Sequence, residues 1–360
     1  MTPFALPRVD FGQYLLNHKR MKLNKKQAAF VLKIIQEWKS SDVLDDTTAR
    51  RMQESLEIIS FDWKKLAQYS FWIALSCLVA AVISFFADDV LRKFIEQLFN
   101  TSHLVKFILF TFSATLLYRI TFLRSQKRPQ FFYSNEALFA VASFIAIGSF
   151  YQLGMMIDSG KGHFSLLLLL AFLTYGLVAF LLETQIVWIC SLISLGAWLG
   201  FETGYMSKWE PYFLGMNYPM RFVFLGLALT LGAFLLKEVR RCQQFYAPTL
   251  FMGLLYLFGA LWALSIFGNY GDLHSWHQVK QWELLHWSIL LALVSALSLF
   301  HGLKKENIFT KNFGIVFILL NLYTRFFEYF WNTWHKAFFF SALSLSFWLL
   351  GRKAEKIFIN

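Results

Sequence analysis

Residues 164–203 read FSLLLLLAFLTYGLVAFLLETQIVWICSLISLGAWLGFET. Two continuously apolar blocks, 164–182 and 185–203, are separated only by Glu183 and Thr184. Each is close to the roughly 20 residues that a helix needs to cross about 30 Å of hydrocarbon. Neither alternates polar and apolar positions as a membrane barrel strand would. A two-residue break suffices for a tight antiparallel helix pair, so the stretch predicts two successive crossings.

The same pattern extends in both directions. Further apolar blocks lie near 67–87, 104–123, 136–157, 221–237, 247–268, 284–302, 313–331 and 336–351. Together they predict an all-α polytopic membrane bundle of about ten spans over residues 66–351, ending in a basic tail at 352–360. Between the first two blocks, Val90, Leu91, Phe94, Ile95 and Leu98 alternate with charges and read as a helix lying in the membrane interface.

Residues 1–65 are polar and predict a small helical region. Asn24 and Gln27 fit a capping box, with Phe30, Val31, Ile34, Ile35 and Trp38 at helical spacing behind it. A second helix is expected from Asp45 or Asp46, its apolar face formed by Ala49, Met52, Leu56 and Ile59. Two short amphipathic helices bury little alone. They are expected to pack on each other, on the membrane surface, on a second copy or on a cytoplasmic protein.

Composition agrees. Of 360 residues, 57% are apolar and only 16% charged, and the mean hydropathy is +0.48; a soluble globule carries about 25% charge. These values exclude a soluble enzyme, a disordered chain and a secreted disulfide scaffold. Cys77, Cys190 and Cys242 show neither metal nor redox spacing. The net charge of +12 is read as positive-inside bias and attraction to anionic lipid rather than as nucleic-acid binding.

Basic residues fall at alternate loops. Residues 1–65 hold 12 of the 34 Lys and Arg. Later clusters are Arg119, Arg124, Lys127 and Arg128, then Lys237, Arg240 and Arg241, then Lys304, Lys305 and Lys311, then Arg352, Lys353 and Lys356. With an even number of spans all of these face the cytoplasm, together with both termini. The opposite loops carry an aromatic girdle: Tyr205, Trp209, Tyr212 and Tyr218, and Trp276, Trp282 and Trp287. No cleavable leader is visible, so the first apolar block is expected to be an uncleaved anchor.

The block 313–331 carries the least ordinary chemistry. Asn321, Arg325, Glu328 and Asn332 recur at four, three and four residues and share one helix face, flanked by Thr324 and His335. A charge in hydrocarbon costs about 2.5–3.5 kcal/mol even on the lenient scale, and an i,i+3 ion pair offsets part of this. Arg325 lies about 18 Å into the block at about 1.5 Å per residue. The stripe is either a substrate or proton site in the bundle or a structural ion pair snorkelling to the headgroups.

Other groupings carry less. Gly148, Ser149, Tyr151, Gln152 and Gly154 either line a cavity or serve helix–helix hydrogen bonding, with Tyr151 and Gln152 the cavity candidates. Gly196 and Gly200 form a Gly-x-x-x-Gly packing motif, used within the chain or between copies. His274, His277 and His286, near Asp272 and Glu283, invite a metal reading, but no second ligand motif supports it and no metal or other cofactor is expected. There is no phosphate loop, zinc-protease motif or nucleophile elbow.

Three stretches carry a resemblance. They are Phe61-Asp62-Trp63-Lys64-Lys65 with the span ending Phe85-Phe86-Ala87; Ile145 to Gly154; and Leu322-Tyr323-Thr324-Arg325-Phe326-Phe327-Glu328-Tyr329-Phe330-Trp331 with Lys336 to Phe340 and the basic tail. In these the chain resembles a bacterial family of inner-membrane proteins, domain of unknown function 2157. It departs at Ser149, where the family has glutamine, and in a last span without the family's glycines. The resemblance implies a polytopic membrane protein without established activity, and draws attention to Arg325 and Glu328. Two functions stay open: movement of a small or lipid-like solute, or a non-catalytic scaffold or sensor whose residues 1–65 bind a partner. For a third, a lipid enzyme, no nucleophile–base set is visible.

Overall fold

The computed structural model describes residues 21–41, 43–59, 66, 69–74, 76–77, 80, 84, 102–157, 163–331 and 334–359. The chain divides into two compact units, Met1–Lys93 and Phe94–Asn360.

In the first unit, strand β1 (Met21–Asn24) leads into helix α1 (Lys25–Ser40), and helix α2 (Asp46–Glu54) leads into strand β2 (Leu56–Ile59). The strands pair in parallel, Met21 opposite Leu56 and Asn24 opposite Ile59. Helix α2 starts where the sequence predicts. The Asp45 carboxylate accepts the Thr48 N–H at 3.2 Å and the Thr47 hydroxyl, satisfying a donor that a helix start leaves open. It ends sooner than expected, because Leu56 and Ile59 leave the helical face and enter β2. Ile58 and Ile59 are β-branched and suit a paired strand better than a last helical turn. Ala28, Ile35 and Ala49 are buried, whereas Phe30, Trp38, Val43 and Met52 are exposed.

The described part of the second unit is helical: α3 (His103–Lys127), α4 (Phe132–Ile157), α5 (Ser165–Leu182), α6 (Gln185–Met206), α7 (Tyr218–Glu238), α8 (Tyr246–Phe267), the short α9 (Leu273–His277), α10 (Leu285–Lys304), α11 (Ile308–Phe330) and α12 (Lys336–Ile359). Among the described residues, eight helices are long and apolar enough to cross a membrane. Of the ten expected blocks, 67–87 lies largely outside the described residues, as does the expected interfacial helix before His103. In α12 the apolar stretch runs from Ala337 to Gly351, at the short end for a span.

Successive helices pack as antiparallel hairpins, α3 with α4, α5 with α6, α7 with α8 and α10 with α11. The tightest turn joins α5 to α6. Glu183 adopts a left-handed conformation at φ 54° and Thr184 is extended, so the chain reverses within two residues. Lys127, Arg240 and Lys305 fall at one set of hairpin ends, and Lys208 at the opposite set.

Helix α8 is the centre and packs on α6, α7, α10 and α11. Leu250, Leu254, Leu257, Phe258 and Leu261 meet Ala233, Leu291 and Phe317 there, and Phe258 stacks on Phe317 at 5.0 Å. Outward-facing leucines such as Leu177, Leu235 and Leu297 are exposed, as lipid-facing side chains would be. In lipid, apolar contact cannot drive helices together, and close backbone approach does. A Cβ on Gly253 would sit 2.6 Å from the Thr230 nitrogen, and one on Gly314 2.8 Å from the Ser295 carbonyl. Gly226 and Gly302 face Leu257 and Lys311 backbone more closely still.

Candidate functional site

Three helices bring their polar groups together at the Phe330 end of α11. Asn321, buried, donates through Nδ2 to the Ser288 carbonyl of α10 at 3.0 Å and accepts the Ser288 hydroxyl at 2.8 Å. One turn on, Thr324 donates to the Leu320 carbonyl and accepts the Trp262 indole N–H of α8 at 3.0 Å. Arg325 then donates through Nη2 to the Ser265 carbonyl of α8 at 2.7 Å and to Glu328 Oε1 at 2.8 Å. Its Nη1 lies 2.5 Å from Glu328 Oε2 in the same ion pair.

Burial gives the pair its character. Only 12% of the Arg325 side chain and 19% of Glu328 are exposed. Helical spacing places Arg325 about 8 Å from the end of α11 at about 1.5 Å per residue. Breaking such a pair on one side leaves an uncompensated charge, at about 3–5 kcal/mol. The guanidinium is not saturated: among the described residues, its buried Nε has no hydrogen-bond partner.

The stripe's other expected members are Asn332 and His335. Asn332 is outside the described residues. His335 accepts the Ala337 N–H at the start of α12 and lines an open depression with Trp334, Phe338, Ser341, Ala342 and Leu345, to which neither Arg325 nor Glu328 contributes.

The other sequence candidates are also placed. Gln152 is buried and meets His103 Nδ1 of α3 at 2.8 Å through Oε1, while adjacent Tyr151 is 44% exposed. Gly196 makes room for Tyr256 of α8, whose hydroxyl donates past it to the Leu192 carbonyl at 3.3 Å. Gly200 makes only ordinary contact with Phe222. His274 contacts Gln278, and His277 and His286 lie against Trp276 and Trp287. Among the described residues, no three His, Cys, Asp or Glu side chains converge as a metal site would require.

Sequence reasoning missed four polar groupings. Arg221, 3% exposed at the start of α7, donates to the Met216 and Pro211 carbonyls and the Thr203 hydroxyl, with its guanidinium over the Tyr218 ring at 4.4 Å. Asn217 and Asn269 clasp the two loops beside it: Asn217 donates to the Gly268 and Tyr270 carbonyls, and Asn269 Oδ1 accepts the Asn217 N–H. On the Lys208 side too, Glu202 accepts the Ser165 hydroxyl at 2.5 Å and pairs with His163, which stacks on Tyr205. Glu136 of α4 reaches the start of α6. The one available signal was a charged residue just inside an apolar block, visible at Glu136, Glu202 and Arg221 alike.

A helical bundle with eight membrane-length helices among the described residues and an interior polar seam defines the class: a multi-pass α-helical membrane protein. No protein-family model matches the chain, and neither does a curated protein or a solved structure.

Proposed function

We propose that this chain moves a small or lipid-like solute through the bacterial inner membrane and engages it at Arg325 and Glu328. One observation carries the reading. Among the described residues, nothing bonds Nε of this buried guanidinium at the junction of three helices, whereas a purely structural arginine such as Arg221 spends Nε, Nη1 and Nη2 on fixed acceptors. A donor left open inside a bundle is suited to a ligand that comes and goes. In this reading the chain crosses about ten times with both termini cytoplasmic, as the alternating basic clusters favour, and the resemblance to domain of unknown function 2157 is in keeping with it.

The test is complementation of a deletion strain by the Arg325→Gln, Glu328→Gln double variant, with folding and membrane insertion verified. The reading expects loss of the wild-type phenotype; a normal phenotype contradicts it. A second reading, a scaffold or sensor that binds a cytoplasmic protein through residues 1–65, is favoured by the exposure of Phe30 at 65% and Trp38 at 49%. In that case, Phe30→Ser with Trp38→Ser abolishes the phenotype and the double neutralisation spares it.

A further inference from the structure

We infer that the α3–α4 hairpin carries protons across the bilayer, along a buried file of polar side chains that runs from His103 on one side to Glu136 on the other. The file stands apart from Arg325 and Glu328.

Helix α4 supplies most of it. Gln152, near the end of α4 on the Lys208 side, meets the exposed His103 of α3 at 2.8 Å. Near the middle of the helix, Ser143 donates to the Phe139 carbonyl and lies 2.8 Å from the Tyr118 hydroxyl of α3, while Tyr175 of α5 donates to the Ser143 carbonyl. Towards the Lys127 side, Glu136 accepts the Thr184 hydroxyl and the Ile186 N–H, both on Oε2. Glu136 and Gln152 are about 24 Å apart along the helix at about 1.5 Å per residue, most of the roughly 30 Å of hydrocarbon. All of these α4 side chains are buried.

The decisive observation lies in the gaps. Between Gln152 and Ser143 comes Ser149, 7% exposed; between Tyr118 and Glu136, one turn further along α3, comes Thr121, 0% exposed. Neither hydroxyl has a hydrogen-bond partner among the described residues. Buried polar groups are bonded in the great majority of cases, and a helical Ser or Thr has the carbonyl one turn back within reach. Both hydroxyls leave that acceptor unused. They stand where the bonded groups are too far apart to hand a proton on directly, and each is a partner for a water molecule entering the seam. Hydrogen bonding between helices accounts for Gln152, Ser143 and Glu136. It does not account for Thr121 and Ser149, which bond nothing in the described residues. Ionisable and hydroxyl groups lined up inside a membrane are the material of a proton relay.

The transfer balances without any other reactant than water. Each hydroxyl accepts a proton on oxygen from one side as it releases its own to the other, so Ser, Thr and Tyr end unchanged. Glu136 takes the proton on Oε1, which leaves both cap bonds on Oε2 in place, and releases it to water on the Lys127 side. Nothing is oxidised or reduced. The net event is one proton moved between the two aqueous phases, driven by the potential or the pH difference. Between Ser149 and Ser143 the Phe110 ring fills the space beside α4: a Cβ on Gly148 would sit 2.8 Å from it. That ring restricts the flow.

The test places the purified full-length chain in phosphatidylcholine vesicles that enclose the pH dye pyranine. A potassium gradient with valinomycin sets the potential, and the dye reports proton entry. The inference expects wild-type flux well above that of protein-free vesicles. Thr121→Val removes the hydroxyl and keeps the volume, and should lower the flux by at least about tenfold. Since that hydroxyl has no bond to lose, the thermal midpoint should stay level or rise, and a purely structural role would leave the flux untouched. Ser149→Ala should behave in the same way. Phe110→Ala should raise the flux, and Gly232→Ala, in open space, should leave it at the wild-type value. Glu136→Gln should abolish it; should that variant fail to fold, the two hydroxyl variants carry the test. Wild-type flux no greater than that of protein-free vesicles overturns the inference, and so does flux unchanged in either Thr121→Val or Ser149→Ala.

Discussion

Glu136 of α4 accepts the backbone N–H of Ile186 at 2.8 Å, so a carboxylate on one helix caps the start of another. Thr184, at the N-cap position, makes no side-chain cap bond of its own and instead donates its hydroxyl to the same Glu136 oxygen at 3.1 Å. A negative charge at a helix start meets both the open donors and the positive end of the helix dipole. One buried side chain thus locks the α5–α6 turn to α4.

Removing that cap leaves buried donors unpaired, at about 1–3 kcal/mol each. Glu136→Ala should therefore lower the unfolding free energy in a detergent titration by about that amount. Glu136→Gln, which keeps an acceptor oxygen without the charge, should fall between alanine and wild type. Equal stability for all three would mean that the contact carries no weight.

Arg221 makes a prediction about the loop beside it. Its three hydrogen bonds tie Met216, Pro211 and Thr203 together, and a bond to a charged donor contributes about 1.5–3 kcal/mol. In Arg221→Met, amide exchange over residues 207–217 should accelerate by at least about tenfold, while exchange in α10 stays unchanged. Lysine should not rescue it, since one ammonium cannot reproduce the planar fork.

Glycine positions separate by what faces them. Gly302→Val pushes a side chain into Lys311 backbone and should cost about 1–3 kcal/mol or more by overpacking. Gly232 has open space around it. Gly232→Ala should be neutral or stabilising by up to about 1 kcal/mol, the helix-propensity gain. Thermal midpoints of the two variants in one detergent check the contrast.

In the first unit, Asp45 holds α2 in a pH-dependent way. Hydrogen bonds from the Thr47 and Thr48 side chains and the Thr48 amide lower its pKa from 3.8 to about 2. A depressed folded-state value means that the cap's stabilisation is complete above the unfolded value and lost as pH falls through the folded one. Amide protection in α2 should thus be flat down to the ordinary carboxylate range and decline between there and about 2. In Asp45→Ala that acid decline should be absent and protection lower throughout.

How much of this the sequence discloses follows from the geometry involved. The reversal at Glu183–Thr184 is legible because two polar residues between apolar blocks of spanning length leave one option. The Arg325–Glu328 pair is legible because both lie on one helix at i,i+3. Ser265, Ser288 and Trp262 are not. Which residues of α8 and α10 face α11 depends on helix rotation, and spans that are apolar all round carry little amphipathic signal to set it. Tyr151 and Gln152 show the same limit: adjacent helical residues point about 100° apart, and only Gln152 faces the interior. Leu56 and Ile59 sit at helical spacing from Ala49 and Met52, but pairing with a strand distant in sequence decides their fate, and local periodicity cannot see it.

Repeated threading of the bilayer underlies every other statement, and single-cysteine labelling with an impermeant maleimide tests it most directly. Cysteines placed singly at Lys127, Lys208, Arg240 and Lys305, in a chain otherwise free of cysteine, are compared in intact and permeabilised cells. The account predicts that the Lys208 site reacts in intact cells and the other three only after permeabilisation. Labelling of all four sites from the same side would contradict it.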